Sequence, residues 1–169
     1  MQPPDFARKP DPAAPAVPRG IRNHNPGNIR HVPGTEWQGQ ARQQTDPAFV
    51  TFEAPVWGLR AILRILLSYR RQGIVTVDRI IARWAPPVGQ DERGRAYRQD
   101  SEAYAAAVAR ALDVLPSDPV DVTQPETARR LLAAIVRHEN GQQPYPRALL
   151  EEAVTLAGIS GGATPEKDA

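Results

Sequence analysis

The sequence contains no cysteine. That excludes disulfides, a thiol nucleophile and a zinc–thiolate site, and it leaves the redox compartment open. A long apolar run is missing too. The richest stretch, "LRAILRILLSY", is cut by Arg60 and Arg64, well short of the ~20 apolar residues of a membrane span, so no membrane insertion is expected. The opening "MQPPDFARKPDPAAPAVPRG" has no apolar h-region, which predicts no secretory signal. Work outside the cytoplasm would then need lysis, a pore or carriage on a larger particle. Charge of one sign is scarce: the formal net charge is +2, with a pI near 9.3. This mild excess suits an anionic polymer such as cell wall or nucleic acid without choosing between them. His24, His31 and His138 are scattered and form no metal-binding spacing. There is no phosphate loop, no nucleophile elbow and no fingerprint of a nucleic-acid module. The expectation is no metal, no cofactor and no nucleic-acid partner.

What is present reads as one domain of the mainly α class with a small β region (α+β). A length of 169 residues fits one domain with tails. Residues 1–19 are a Pro/Ala-rich leader, 20–159 the folded part, and 160–169 a frayed tail. "IRNHNPGNIRHVPG" is turn-dense around Asn-Pro-Gly-Asn. "NIRHV" can leave it as a short strand and "AFVTF" has strand composition. A long helix is expected from Pro55 to Gln72, ended by Gly73, with Leu59, Ile62, Leu63, Leu66 and Leu67 on one face. Thr76 is placed to cap a second helix through Trp84, stopped by "APP". Ser101 is placed to cap a third. Thr123 with Glu126 has capping-box spacing for a fourth. A last helix is expected over about 146–157. "VGQDERGRAYRQ" reads as a charged surface loop.

The chemistry candidates begin with Glu139. It lies three, four and seven positions after Val136, Ile135 and Leu132, so it extends an apolar stripe at the end of a helix. A carboxylate there is disfavoured both by the helix dipole and by the apolar surroundings. That placement suits a general acid, while an ion pair with Arg137 is the plain alternative. Around the Pro-Gly turn, Asn25, Asn28 and Arg30 are either turn-stabilising groups or a polar wall for amides and hydroxyls. Trp37 is a core residue or a platform for a sugar ring. A second carboxylate could be Glu53 or Asp46. Each has a plain reading, Glu53 beside a helix start and Asp46 as the turn starter before Pro47.

"RGIRNHNPGNIR", "WQG", "TDPAFVTFEAPVWGLRA", "IIARWAPP" and "IVRHENGQQPY" follow one another in this order. Together they resemble a family of small phage and prophage proteins known as virion structural proteins, over about 19–157. His24 stands where that family usually has Asn. A second resemblance concerns chemistry. "LLAAIVRHENGQQPYP" is similar to the helix of lytic transglycosylases and other lysozyme-like enzymes that ends in Glu-Ser-Gly, with Glu139 in place of the catalytic Glu and Asn140 in place of Ser. "NPGNIR" through "FEAPVWGLRA" is similar to the segment that follows the Glu in cell-wall glucosaminidases. There the Glu comes first, whereas here it comes last, which implies a circularly permuted lysozyme-like fold.

The resemblance implies a peptidoglycan glycosidase, lysozyme or lytic transglycosylase, with bacterial peptidoglycan as partner and Glu139 as acid. Asn25, Asn28, Arg30 and Gln142 would hold polar groups of the sugar, and Trp37 and Tyr145 would pack on its rings. The protein would sit in a phage virion, or in the host cytoplasm before lysis, and act in the periplasm or cell wall. The rival expectation is a non-enzymatic virion component that binds cell wall or other virion proteins.

Overall fold

The computed structural model describes residues 16–91 and 93–162. The leader expected over 1–19 and the tail over 160–169 lie for the most part outside the described residues. Six helices and one two-stranded antiparallel hairpin are found: α1 (Arg19–Arg22), α2 (Pro55–Arg71), α3 (Val77–Trp84), β1 (Val88–Gln90), β2 (Ala96–Arg98), α4 (Ser101–Leu112), α5 (Pro125–Asn140) and α6 (Arg147–Leu156). The mainly α, α+β reading holds.

The core is built around α5, which packs against α1, α2, α4 and α6. Its residues Ala128, Leu131, Leu132, Ile135 and Val136 are fully buried, at the spacing of one helical stripe. They meet Leu59, Ile62, Leu63 and Leu66, the buried face of α2. Pro55 opens α2, where its missing N–H costs nothing. The Asn-Pro-Gly-Asn loop crosses α2 very closely: a Cβ on Gly58 would stand 2.0 Å from the His24 carbonyl oxygen. Only glycine lets that loop lie flat on the helix and so sets its distance from the end of α5.

Where the β structure falls is a correction. "NIRHV" and "AFVTF" pair only through the isolated Arg30–Phe49 bridge, with a second bridge at Gln40–Phe52. The Val50 N–H donates to Ile29 O and the His31 N–H to Ala48 O. The Asn25 amide donates to Ile29 O, which also accepts from the Val50 N–H, and to Val50 O, so the Val50 carbonyl does not extend the pairing. The true strands lie in "VGQDERGRAYRQ", where no strand was expected. Asp91 closes that hairpin by accepting from the Arg93 and Arg95 backbone N–H groups, and Gly94 supplies the positive φ.

Three caps also differ from expectation. Asp100, not Ser101, caps α4, accepting from the Ala103 N–H. The Ser101 hydroxyl instead donates to Ala85 O and ties the end of α3 to the start of α4. At α5 the Thr123 hydroxyl donates to Asp121, and Glu126 pairs with Arg129, so no capping box forms. At α3 the Thr76 hydroxyl donates to Asp78. In the two threonine cases a nearby carboxylate, the stronger acceptor, has captured the hydroxyl. Among the described residues no helix is long and apolar enough to cross a membrane.

Candidate functional site

Glu139 lies in the last turn of α5, and Gly141 (φ +70°) ends that helix in a left-handed cap. Three elements bring side chains to its carboxyl. Trp84, at the end of α3, donates its indole N–H to Oε1 at 3.0 Å. Tyr104 of α4 donates its hydroxyl to the same oxygen at 3.0 Å. Asn28, from the Pro-Gly turn, places its amide Nδ2 3.5 Å from Oε2. Residues 111 positions apart in the chain thus meet. At the end of the apolar stripe, three polar side chains meet the Glu139 oxygens.

The two oxygens are therefore unlike. Oε1 is saturated by two donors, so a proton on this carboxyl belongs on Oε2. Tyr104 keeps its own proton: burial first, and then the neighbouring Glu139, push its hydroxyl far above the ordinary tyrosine range. Its ring stacks on His138 with centroids 3.6 Å apart and planes inclined by 21°. That contact fixes the hydroxyl's direction.

Asn28 and Trp84 form part of the wall of a groove of about 390 Å³, together with Arg30, Trp37, Ile65 and Tyr69. Glu139 stands behind those two wall residues. The groove floor is aromatic and aliphatic, and its rim carries an amide and a guanidinium, a mixture suited to a sugar or another amphipathic chain. Arg30 also lines a neighbouring pocket of about 490 Å³ with His31 and Arg93. A larger cavity of about 760 Å³, between α3, the hairpin and α4, shares no residue with this groove.

The expected site residues separate on these contacts. Asn28, Arg30 and Trp37 border the groove. Asn25 does not: it is fully buried, its Nδ2 donates to Ile29 O and Val50 O, and its Oδ1 accepts from the Ile29 N–H. It builds the turn and has nothing left for a ligand. Tyr145 is also corrected, since its ring belongs to the core and its hydroxyl is buried without a partner. Burial pushes that hydroxyl up to about 12. Gln142 is exposed on the turn after α5.

Neither proposed second carboxylate touches Glu139. Asp46 is buried in an ion pair, bound by Arg19 Nε at 2.6 Å and Nη2 at 2.7 Å, by Asn23 at 2.9 Å, and by the Ala48 and Phe49 N–H groups. The Arg19 guanidinium above all holds its carboxyl well below the usual range. Five donors leave it no free lone pair for chemistry. Glu53 is exposed beside the start of α2. Among the described residues, no three His, Asp or Glu side chains converge to hold a metal.

Sequence reasoning missed Trp84 and Tyr104 as site residues. Trp84 is visible in "ARWAPP" as a large aromatic at a forced helix stop, and Tyr104 as the one polar-tipped side chain in "AYAAAV". Both patterns are equally those of core residues, so nothing local ties either to Glu139.

No family model matches the chain. The chain is 35% identical over 130 residues to Protein P5 of Pseudoalteromonas phage PM2, an overlap of 75% of this chain and 74% of that protein. With that extent of shared sequence, the chain belongs to the family of this phage protein.

Proposed function

We propose that the chain is a component of a phage particle that binds bacterial cell-wall glycan along the Asn28–Trp84 groove and cleaves it with Glu139 as general acid. The phage relative supports a phage protein, with which the particle-borne part agrees. The cleavage part rests on one observation: a carboxyl with Oε1 occupied and Oε2 turned toward Asn28, directly behind the Asn28 and Trp84 wall of an aromatic groove. Glu139 protonates the glycosidic oxygen from Oε2. Arg30 holds polar groups of the sugar, Asn28 faces Oε2 from the groove wall, and Trp37 packs on a ring. With Asp46 and Glu53 out of reach, the substrate's own N-acetyl group takes the place of a second carboxylate, a known route in glycoside cleavage. The meeting of the Asn28 turn with the C-terminal Glu139 is what a circularly permuted lysozyme-like arrangement requires, and it supports that reading of the fold.

A second reading is favoured by the phage relative and by the lack of a second carboxylate against Glu139. In it the protein is a non-enzymatic virion component, and the groove binds cell wall or another virion protein. Purified cell walls separate the two. Cleavage predicts soluble sugar fragments from wild type and none from Glu139→Gln, with both proteins co-sedimenting with the walls. Sedimentation without fragments from wild type favours the binder.

A further inference from the structure

Two buried oxygens beside Glu139 accept no hydrogen bond: Asn28 Oδ1 and Asn140 Oδ1. Both press on the same residue. A Cβ on Gly20 would stand 3.0 Å from the first and 2.5 Å from the second, and 2.9 Å from the Asn25 carbonyl oxygen. Three oxygens thus surround one glycine in α1; the Asn25 carbonyl already accepts from the Asn28 backbone N–H, and the two carboxamide oxygens have no donor. A buried acceptor left without a donor costs about 1–3 kcal/mol, so the arrangement calls for an N–H. Asn140 cannot turn to help, since its Nδ2 is committed to Pro26 O at 2.8 Å and Val136 O at 2.9 Å.

Asn28 can turn. Its Nδ2 has a single acceptor, Glu139 Oε2, at the long limit of a hydrogen bond. A half-turn of the carboxamide exchanges an oxygen and a nitrogen of nearly equal size and needs no extra room. It would send Nδ2 into the oxygen-lined recess at Gly20 and present Oδ1 to Glu139 Oε2. Two bare acceptors facing each other repel, but an acceptor facing Oε2–H makes a hydrogen bond. The unpartnered oxygens and the unequal carboxyl oxygens are therefore two sides of one arrangement.

We propose that the Asn28 amide turns with the proton on Glu139. With the carboxyl ionised, Nδ2 faces Oε2. With it protonated, Oε2–H donates to Asn28 Oδ1, and Nδ2 donates toward Asn140 Oδ1. Asn28 is then a positioning residue that aims the proton, and Asn140 holds its second orientation. This rests on the reading of Glu139 as proton donor given above. When the proton leaves for a glycosidic oxygen, the O–H electron pair stays on Oε2, and Asn28 turns back to donate to the new carboxylate. The other titratable or charged groups around the site are Tyr104 from α4, His138 from α5 stacked on it, Arg30 from the loop, and Tyr69 from α2 with Arg83 of α3 against its ring.

The test is spectroscopic and needs no activity. The Asn28 side-chain amide signals are followed by NMR in isotopically labelled full-length protein, from acidic to neutral pH. They are expected to move in one step whose midpoint equals that of the Glu139 carboxyl carbon. At the acidic end an Overhauser contact from the Asn28 Nδ2 protons to the Gly20 α-protons appears, and at neutral pH it is lost. The step vanishes in Glu139→Gln and survives in His138→Gln. An Overhauser contact identical at both ends, a step that persists in Glu139→Gln, or one lost in His138→Gln overturns the proposal. If cell walls are not cleaved but the amide still turns, the proposed activity fails and the switch stands.

Discussion

Glu139 differs from an ordinary helix-end carboxylate in how its two oxygens are used. Trp84 and Tyr104 hold Oε1, so Oε2 alone is left to face Asn28. Tyr104→Phe removes one donor and leaves the ring on His138. Hydrogen bonds to charged groups are worth about 1.5–3 kcal/mol, so cell-wall cleavage is expected to fall about ten- to a hundredfold, measured as initial rate of soluble sugar release. Binding to the walls should change much less. Asp46 carries the opposite lesson. Its carboxyl is depressed by Arg19, so its stabilising effect is complete above the ordinary aspartate value, roughly pH 4, and is lost as pH falls further toward the folded-state value. Acid titration of the unfolding free energy should therefore fall steeply below about pH 4 in wild type, and visibly less in Asp46→Asn. The sequence showed Asp46 as a turn starter and Glu139 as a misplaced acid, and both readings came from local chemistry. It hid Trp84 and Tyr104 because an aromatic on a helix face looks the same whether its polar tip is idle or points at a carboxylate.

Among the elements, the helices were legible and their ends less so. The stripe Leu131, Leu132, Ile135 and Val136 has a period that only a helix satisfies. Caps depend on which of several nearby oxygens wins a donor, and Asp100, Asp121 and Asp78 won over the expected Ser and Thr. The β structure was misplaced for a related reason: the Asn25 amide occupies the Val50 carbonyl that would have extended the pairing of "NIRHV" with "AFVTF". Asp100→Ala should cost about 1 kcal/mol through the lost α4 cap, seen as a lower denaturant midpoint. Two glycines should respond differently to alanine in the same measurement. At Gly141 a methyl group meets nothing within 4 Å, so only the left-handed backbone is penalised, by about 1–2 kcal/mol. At Gly58 it meets the His24 carbonyl, and the loss should approach about 3 kcal/mol. Because that contact seats the Asn28 loop, Gly58→Ala should also lower cell-wall cleavage in the fraction that remains folded.

On the scale of the whole molecule, helix α5 carries Glu139 to the loop that comes first in the folded chain. Short motifs from opposite ends of the sequence meet through the Asn28–Glu139 contact. Local patterns gave both motifs, but only the packing of α5 against α1 and α2 puts them in contact. The family tie is to a phage protein, and the mild positive net charge suits an anionic partner. The central claim is that this groove cuts glycan by a proton from Glu139. Mass analysis of the soluble material released from purified cell walls tests it most directly, with wild type and Glu139→Gln compared at equal protein. The account predicts disaccharide-repeat fragments from wild type, an anhydro end marking the transglycosylase route and a free reducing end marking hydrolysis, and none from Glu139→Gln. Fragments released equally by both proteins, or by neither, would contradict it.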